Sequence, residues 1–487
     1  MAMKEDWSFL DKISMGANAT KKVTELLNNQ GHRIIELERY SSSNKMWSTK
    51  IKRLRLADLL CLNCGRRVES RAKSKLGIIM SDSPTNSDRR WDVGLRDEDL
   101  VALINCQKSE FGEWIAAENV NLFCVGDLRA TESLSKLGPP KSASEGAERD
   151  RTWESYVPGF NGKIVGIDNG KIRFIKSDGK RFSKTIPENH HLFVTNEEEI
   201  IGGTKIVTSI VKSSAQFCCD EREYDFMADL DSSQNETKYC AVKALGYLPE
   251  LSDFSVPKLQ ELLLDDGLDE RIKLELYSTL IRLGVDVWSY FENYVSSDAS
   301  QAYLMESVLI LGELSRFDKA KEILLSVASN VKLHSEIRAA AIWSMGSQPT
   351  LLKEILQFVA DVDKVVSTHA IAILEKMANN HITVDLINSI GDDTTVNAAI
   401  ARIISQLENL DDEEIVRAYV NSDNDIVKQW LLYSIGLSGR SRFEELIDKL
   451  DTHPEKTKDS ILLLWDNNRN WITREVIDSI EFLKLQN

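Results

Sequence analysis

The strongest constraint on this chain is a helical-period apolar pattern that recurs through its last 270 or so residues. From about Asn235 onward, apolar runs at helical spacing follow one another across short polar breaks: Tyr239–Leu248, Ile272–Leu283, Tyr303–Leu314, Ile337–Met345, Val365–Met377, Val396–Leu407 and Ile426–Ile435. Gly246, Gly284, Gly312, Gly346 and Gly436 close several of them. Six intervals separate Gly246 from Gly436, a period of about 32 residues. A helix pair of that length cannot bury its own apolar face, so stacking against neighbours must supply the core. Small-residue stretches such as Arg338-Ala-Ala-Ala-Ile-Trp343 and Asn397-Ala-Ala-Ile-Ala-Arg402 would let stacked helices approach closely.

The pattern resembles HEAT repeats over about residues 235–487. That resemblance implies an α-α solenoid, here set at 214–487, whose extended surface holds a partner. No β-branched alternating segment recurs at the same period, which disfavours strand-bearing repeats such as leucine-rich ones. Trp288, Trp343, Trp430, Trp465 and Trp471 fall at helical spacing and read as core aromatics. His334, His369, His381 and His453 lack metal-ligand spacing.

At 487 residues the chain exceeds what one core supports, so several domains are expected. No stretch approaches the roughly 18 apolar residues of a membrane span, and the start, Met1-Ala-Met-Lys-Glu-Asp, has no signal pattern. Seven cysteines, an odd number with Cys218 and Cys219 adjacent, fit free thiols in a reducing compartment. Both features point to the cytoplasm. The net charge of −16 is unevenly spread: residues 1–150 hold 24 Lys+Arg against 22 Asp+Glu, leaving 36 against 54 for the remainder. Lys50, Lys52, Arg53, Arg55, Arg66, Arg67, Arg71, Lys73 and Lys75 crowd one segment beside only Asp58 and Glu69, which marks it as the place for a nucleic-acid contact.

Around that segment the pattern predicts a helix over Thr20–Gln30 stopped by Gly31, a strand over His32–Arg39, and a two-strand hairpin turning at Asn63-Cys-Gly65. Further strands are expected at Leu76–Met80, Leu100–Cys106 and Val120–Val125, with a short helix at Gly112–Glu118, making a compact α/β unit over 1–135. The hairpin carries Asp58 before its first strand's apolar run and Glu69-Ser-Arg71 on its second.

These residues resemble the PD-(D/E)XK nuclease superfamily, the restriction-endonuclease-like fold, over about residues 17–130. The resemblance implies that Asp58 and Glu69 hold Mg²⁺, with Glu25, Glu36 or Glu38 as auxiliary ligands, and that the enzyme is a metal-dependent phosphodiesterase acting on DNA, in a setting such as prokaryotic defence or a mobile element. Where the family has Lys, this chain has Arg71, with Lys73 one pleat further along the same strand face. Either Lys73 takes over the role and Arg71 grips phosphate, or the domain binds nucleic acid without cutting it, since an arginine stays protonated. A plainer alternative is that Asp58 and Glu69 form surface ion pairs with neighbouring arginines.

Cys61-Leu-Asn-Cys64-Gly65 has the spacing of a zinc knuckle. It supplies two of the four ligands of a structural Zn²⁺, and Cys106 and Cys124 are candidates for the rest. Between the α/β unit and the helices, residues 136–152 read as a linker from their Gly, Pro, Ser and charge content. Residues 153–213 alternate apolar and polar residues around Asn169-Gly170 and Asp178-Gly179, as a small β-domain with hairpins would. Its Asn196–Val207 stretch is similar to the turn of biotinyl-like barrel-sandwich hybrids, without their modified lysine. No GxxxxGK[ST], Rossmann glycine fingerprint, GxSxG or HExxH is present, which removes support for ATPase, dinucleotide, serine-hydrolase and zincin chemistry. Two functions remain: a nuclease with a HEAT arm, or a non-catalytic adaptor whose acidic helices dock a protein.

Overall fold

The computed structural model describes residues 7–37, 49, 54–110, 112–143, 146–213, 219, 224–346, 351–377, 383–407, 412–438, 454–468 and 471–484. It divides into two compact units, one sheet-rich (11–42 and 52–284) and one helical (1–10, 43–51 and 285–487).

The sheet-rich unit opens with α1 (Trp7–Asn29), whose Ala19, Val23 and Leu27 recur every four residues and are fully buried. Four-residue spacing lines one helix face. That face covers one side of a five-stranded sheet, where it meets Leu59, Val68, Leu100, Ala102 and Ile104. The strands are β1 (Ile34–Glu36), β2 (Leu59–Cys61), β3 (Arg67–Lys73), β5 (Leu100–Lys108) and β6 (Trp114–Cys124), in that spatial order. β1, β2 and β3 meander antiparallel, β3 and β5 run parallel, and β6 returns antiparallel. Because β5 lies parallel to β3, a crossover must join them. Here it contains β4 (Ile79–Asp82), which leaves to form a separate antiparallel sheet with β7 (Lys136–Pro140) and β8 (Arg149–Thr152).

The other face of the five-stranded sheet, through Val101, Leu103 and Phe123, packs on Trp91, Trp153, Ile206 and Val211. Trp91 and Trp153 meet edge to face at 5.1 Å. Beyond β8 comes the small β-domain. It has β9 (Ser155–Tyr156), β10 (Gly162–Asp168), β11 (Lys171–Lys176), β12 (Arg181–Thr185), β13 (His191–Leu192), β14 (Glu199–Ile200) and β15 (Thr208–Ser209), around a core of Ile164, Ile172, Phe174 and Val207. A short α2 (Val125–Ala130) follows β6. The unit closes with α3 (Phe226–Asp229), α4 (Asn235–Leu245), α5 (Ser252–Leu262) and α6 (Glu270–Arg282).

Three expectations change. Residues 136–152 are not a linker: β7 and β8 lie there, and Arg151 on β8 anchors them by pairing with the fully buried Asp82 at 2.7 Å. The expected helix at 112–118 gives way to β6, which begins at Trp114, where Ile104, Cys106 and Lys108 of β5 pair with Val120, Ala116 and Trp114. Residues 214–284, expected to begin the solenoid, cluster with the sheet-rich unit.

The helical unit holds α7 (Trp288–Val295), α8 (Gln301–Glu313), α9 (Asp318–Ser329), α10 (Ser335–Met345), α11 (Leu352–Leu356), α12 (Lys364–Met377), α13 (Thr383–Asn388), α14 (Thr394–Ser405), α15 (Asp412–Asn421), α16 (Asp425–Ser438), α17 (Pro454–Asn468) and α18 (Arg474–Lys484). α10 packs on α8 and α12, its neighbours but one in sequence, and α14 packs on α16 in the same manner. The approach of α10 to α12 is close enough that a Cβ on Gly346 would stand 2.3 Å from Ile373. Within this unit Thr49 Oγ1 donates to Glu336 at 2.6 Å. Trp430 is buried and Trp288, Trp343 and Trp471 are partly buried, while the side chain of Trp465, His381 and His453 lie outside what is described. No helix among the described residues is long and apolar enough to cross a membrane.

His369 on α12 is buried, and burial pulls its pKa down to about 4, partly offset by its bond to the Val365 carbonyl at 2.7 Å. The unfolded chain would bind a proton near 6.5 and the folded chain only near 4, so protonation favours unfolding throughout that interval. Urea unfolding should show stability falling by about 3 kcal/mol as pH drops from 6.5 to 4, with the His369-dependent part absent in His369→Leu.

Candidate metal centre and carboxylate hairpin

The end of α1 sets up the first cluster. Gly31, with φ of +89°, ends the helix in the left-handed region, and the His32 and Gly31 amides close back onto the Leu27 and Asn28 carbonyls at 3.1 and 3.0 Å. This paired closure is the Schellman arrangement that glycine favours. It delivers the buried His32 to the mouth of β1, and β1 pairs Ile34 with Cys61 on β2.

The β2–β3 turn makes the next two ligands. The Cys61 amide donates to the Arg66 carbonyl and the Gly65 amide to the Cys61 carbonyl, both at 2.9 Å. Gly65 adopts φ of +68°, and any Cβ there would stand 2.3 Å from the Tyr224 ring. Tyr224 in turn donates its amide to the Asn63 carbonyl at 3.0 Å. That bond docks the chain following the small β-domain against the turn, and Cys219 arrives with it.

The result is a compact His–Cys₃ set. His32 Nδ1 lies 3.3 Å from Cys61 Sγ and 3.9 Å from Cys64 Sγ, and Cys61 Sγ lies 3.7 Å from Cys219 Sγ. All four ligand atoms fall within 4.8 Å of one another. A tetrahedral ion with metal–sulfur bonds of about 2.3 Å would separate its sulfurs by about 3.8 Å, so these residues could hold a metal ion. A hydrogen bond from Cys64, aided by His32, pulls the Cys61 thiol down to about 3. Cys64 is pushed up by that same bond, and Cys219 by burial. Cys61 is therefore the preferred thiolate, and a bound cation would draw the remaining protons off.

Cys106 and Cys124 do not complete this set. Cys106 is buried against α1, with burial raising its pKa to about 11, and Cys124 Sγ donates to the Asp97 carbonyl at 2.9 Å. Cys218 lies outside the described residues.

Further along the same hairpin, Leu59 pairs with Val68, which sets Asp58 opposite Glu69. Asp58 Oδ2 accepts the Ser70 amide at 2.7 Å, and Glu69 Oε1 pairs with Arg71 Nη2 at 2.7 Å. Glu69, Arg71 and Lys73 alternate along β3 on the face turned away from α1, beside Val101, Leu103 and Asn105 of β5. Lys73 is half-buried and donates to the Ile79 carbonyl at 3.0 Å. Burial lowers its pKa, the Arg71 and Lys141 charges lower it further, and Asp150 opposes them.

Other expected site residues are placed differently. Arg67 is 2 % exposed, its guanidinium spent on the Gly94 carbonyl at 2.7 Å and Thr237 Oγ1 at 2.9 Å, so it is a core group and not a phosphate contact. Glu25 projects from the solvent side of α1, 3.8 Å from Lys22, across the sheet from Glu69, and is not brought to the carboxylates. Glu36 pairs with Leu59 and so shares the α1 face of the sheet. Arg55 and Lys75 are exposed and Arg66 partly so, whereas Glu38, Lys50, Lys52 and Arg53 lie outside the described residues.

No protein-family model matches the chain, and no curated protein matches it.

The cluster makes a direct prediction. Protein purified without added chelator should carry one transition-metal ion per chain by plasma mass spectrometry, and Cys61→Ser, Cys64→Ser and Cys219→Ser should each fall below half an equivalent. Full retention in Cys219→Ser, or loss in Cys106→Ser, would refute the assignment.

Proposed function

We propose that this chain processes DNA: its β2–β3 hairpin is a phosphodiester-cleaving site of PD-(D/E)XK type, a structural Zn²⁺ secures the turn of that hairpin, and HEAT-type repeats dock a protein partner. The observation that carries the reading is the register that sets Asp58 against Glu69 with Lys73 on the same face of β3. The order of β1, β2, β3 and β5, with β3 and β5 parallel, supports it. Next-but-one helix packing supports the repeat assignment.

Two carboxylates on adjacent strands are the hard oxygen donors that Mg²⁺ accepts, so Asp58 and Glu69 fit that ion. Bound there, it would neutralise phosphate charge and lower the pKa of a coordinated water. The protein's own groups do the rest. The Ser70 amide fixes the Asp58 carboxylate, and Lys73, desolvated and held by the Ile79 carbonyl, yields its proton more readily than a surface lysine. Arg71, whose planar guanidinium suits phosphate, exchanges Glu69 for substrate.

For the other cluster, three thiols and one imidazole are the donor set of structural Zn²⁺.

The Glu69–Arg71 ion pair favours a second reading, in which Arg71 permanently occupies the carboxylate and the domain binds DNA without cutting it. Incubation of the purified chain with supercoiled plasmid in Mg²⁺ or Mn²⁺ decides between them. Nicking or linearisation that falls at least 100-fold in Asp58→Asn and in Glu69→Gln supports the nuclease. Cleavage that is absent, or equal in the variants, leaves the adaptor reading.

A further inference from the structure

The β10–β11–β12 sheet of the small β-domain gathers positive charge in an acidic chain. Residues 163–184 hold seven Lys and Arg against two Asp, whereas the whole chain carries −16. Strand alternation decides where those charges go. On β11, Ile172 and Phe174 turn into the core, so Lys171, Arg173 and Ile175 face outward. Lys171 pairs with Thr185, Arg173 with Ser183 and Ile175 with Arg181 on β12, and Ile175 with Lys163 on β10, so all of these share the outer face.

Three cations of this region already have carboxylate partners: Arg173 with Asp168, Lys163 with Glu197 at 2.6 Å, and Lys180 with Asp178 at 3.0 Å. Lys171 and Arg181, at opposite ends of the outer face, have none among the described residues, and both are exposed. Beside Arg181, a shallow depression of about 510 Å³ is lined by Val165, Arg173, Phe174, Ile175, Arg181, Phe182 and Ser183. β10 carries a β-bulge between Ile164 and Gly166, and the Arg173 guanidinium lies so closely over Gly166 that a Cβ there would meet Nη2 at 2.5 Å. Arg173 is therefore held in place, and because Lys163 lies opposite Glu199 as well as beside Glu197, the exposed positive charge of the face rests on Lys171 and Arg181.

We infer that this outer face binds the phosphate backbone of duplex DNA. Charge complementarity selects a polyanion. The duplex follows from what the face lacks: single strands are held by aromatic platforms, and the two phenylalanines that line the depression, Phe174 and Phe182, turn their rings into the core. Phe160, Phe174 and Phe182 pack inward, with Lys176 over Phe160 at 4.6 Å and Lys184 over Tyr156 at 5.0 Å covering the rim rings. The inference goes beyond the hairpin chemistry and stands whether or not the hairpin cuts.

The test is a fluorescence-anisotropy titration of the full zinc-loaded chain without added Mg²⁺, using a 20-base-pair duplex, the single strand and an RNA strand of the same length, at several salt concentrations. The double variant Lys171→Glu, Arg181→Glu should weaken duplex binding at least tenfold and reduce the salt slope by about two. Lys171→Gln, Arg181→Gln, which cannot introduce repulsion, should move both in the same direction by less. Lys258→Glu, Lys321→Glu, changing net charge equally on surfaces elsewhere, should bind within about twofold of the unaltered chain, and thermal melting should show all variants folded. The inference is overturned if the Gln pair binds as the unaltered chain does, if the control pair loses as much as the Glu pair, if either single strand binds tighter than the duplex, or if nothing binds. Binding of this pattern without plasmid cleavage would refute the nuclease reading alone.

Discussion

Gly65 has to be a glycine for two independent reasons, and the rest of the hairpin depends on both. Its φ of +68° lies where a side chain is strained, and its missing Cβ leaves the space that the Tyr224 ring fills. The first closes the turn between β2 and β3 and so sets the pairing of Leu59 with Val68. The second lets the chain beyond the small β-domain dock on that turn through the Tyr224–Asn63 bond, bringing Cys219 within reach of Cys61. One residue thus fixes the register that opposes Asp58 to Glu69 and the fourth corner of the His–Cys₃ set. The Gly65 carbonyl also accepts from Arg96, whose guanidinium is held by the fully buried Asp99 at 3.1 Å.

The two groups on this hairpin differ in chemical softness, and that keeps them separate. Thiolate and imidazole at the turn prefer zinc-like ions; paired carboxylates at the far end of a three-residue strand prefer hard cations such as Mg²⁺. A metal at the turn would tie together α1's end, the β2–β3 turn and the segment before α3, none of which is adjacent in sequence. Metal binding then counts as folding free energy, because the unfolded chain presents no such set. The carboxylate end has no such tie and relies on backbone register and on Ser70 to hold Asp58.

What could be read from the sequence is what is local. The helical period, the Cys61–Cys64 knuckle and the Asp58–Glu69 hairpin all lie within short windows, where spacing alone reports geometry. His32 and Cys219 were invisible as ligands because 29 and 158 residues separate them from Cys61, and only the Schellman closure and the Tyr224 contact bring them in. Gly31 after a helical run was the available sign for the first; an adjacent Cys pair was a poorer sign for the second. Arg67 shows the opposite error. Counting it with its neighbours assumed exposure, yet as the first residue of β3 it turns inward to the Gly94 carbonyl and Thr237. Residues 136–152 read as a linker because Gly138-Pro-Pro140 suggests a breaker, but proline is tolerated at the edge of a sheet, and β7 is an edge strand.

Total charge is a poor guide to what such a chain attracts. At physiological salt the Debye length is about 8 Å, so a carboxylate two or three Debye lengths away scarcely alters the field at a given lysine. The −16 of the whole chain therefore does not cancel the outer face of β11 and β12, where Lys171 and Arg181 lack carboxylate partners among the described residues. By the same argument a basic count over 50–75 does not measure a field: among its described cations Arg67 is buried, Arg71 is paired with Glu69, and Lys73 is half-withdrawn from water. Local burial and pairing, rather than composition, determine which surfaces a phosphate backbone would meet.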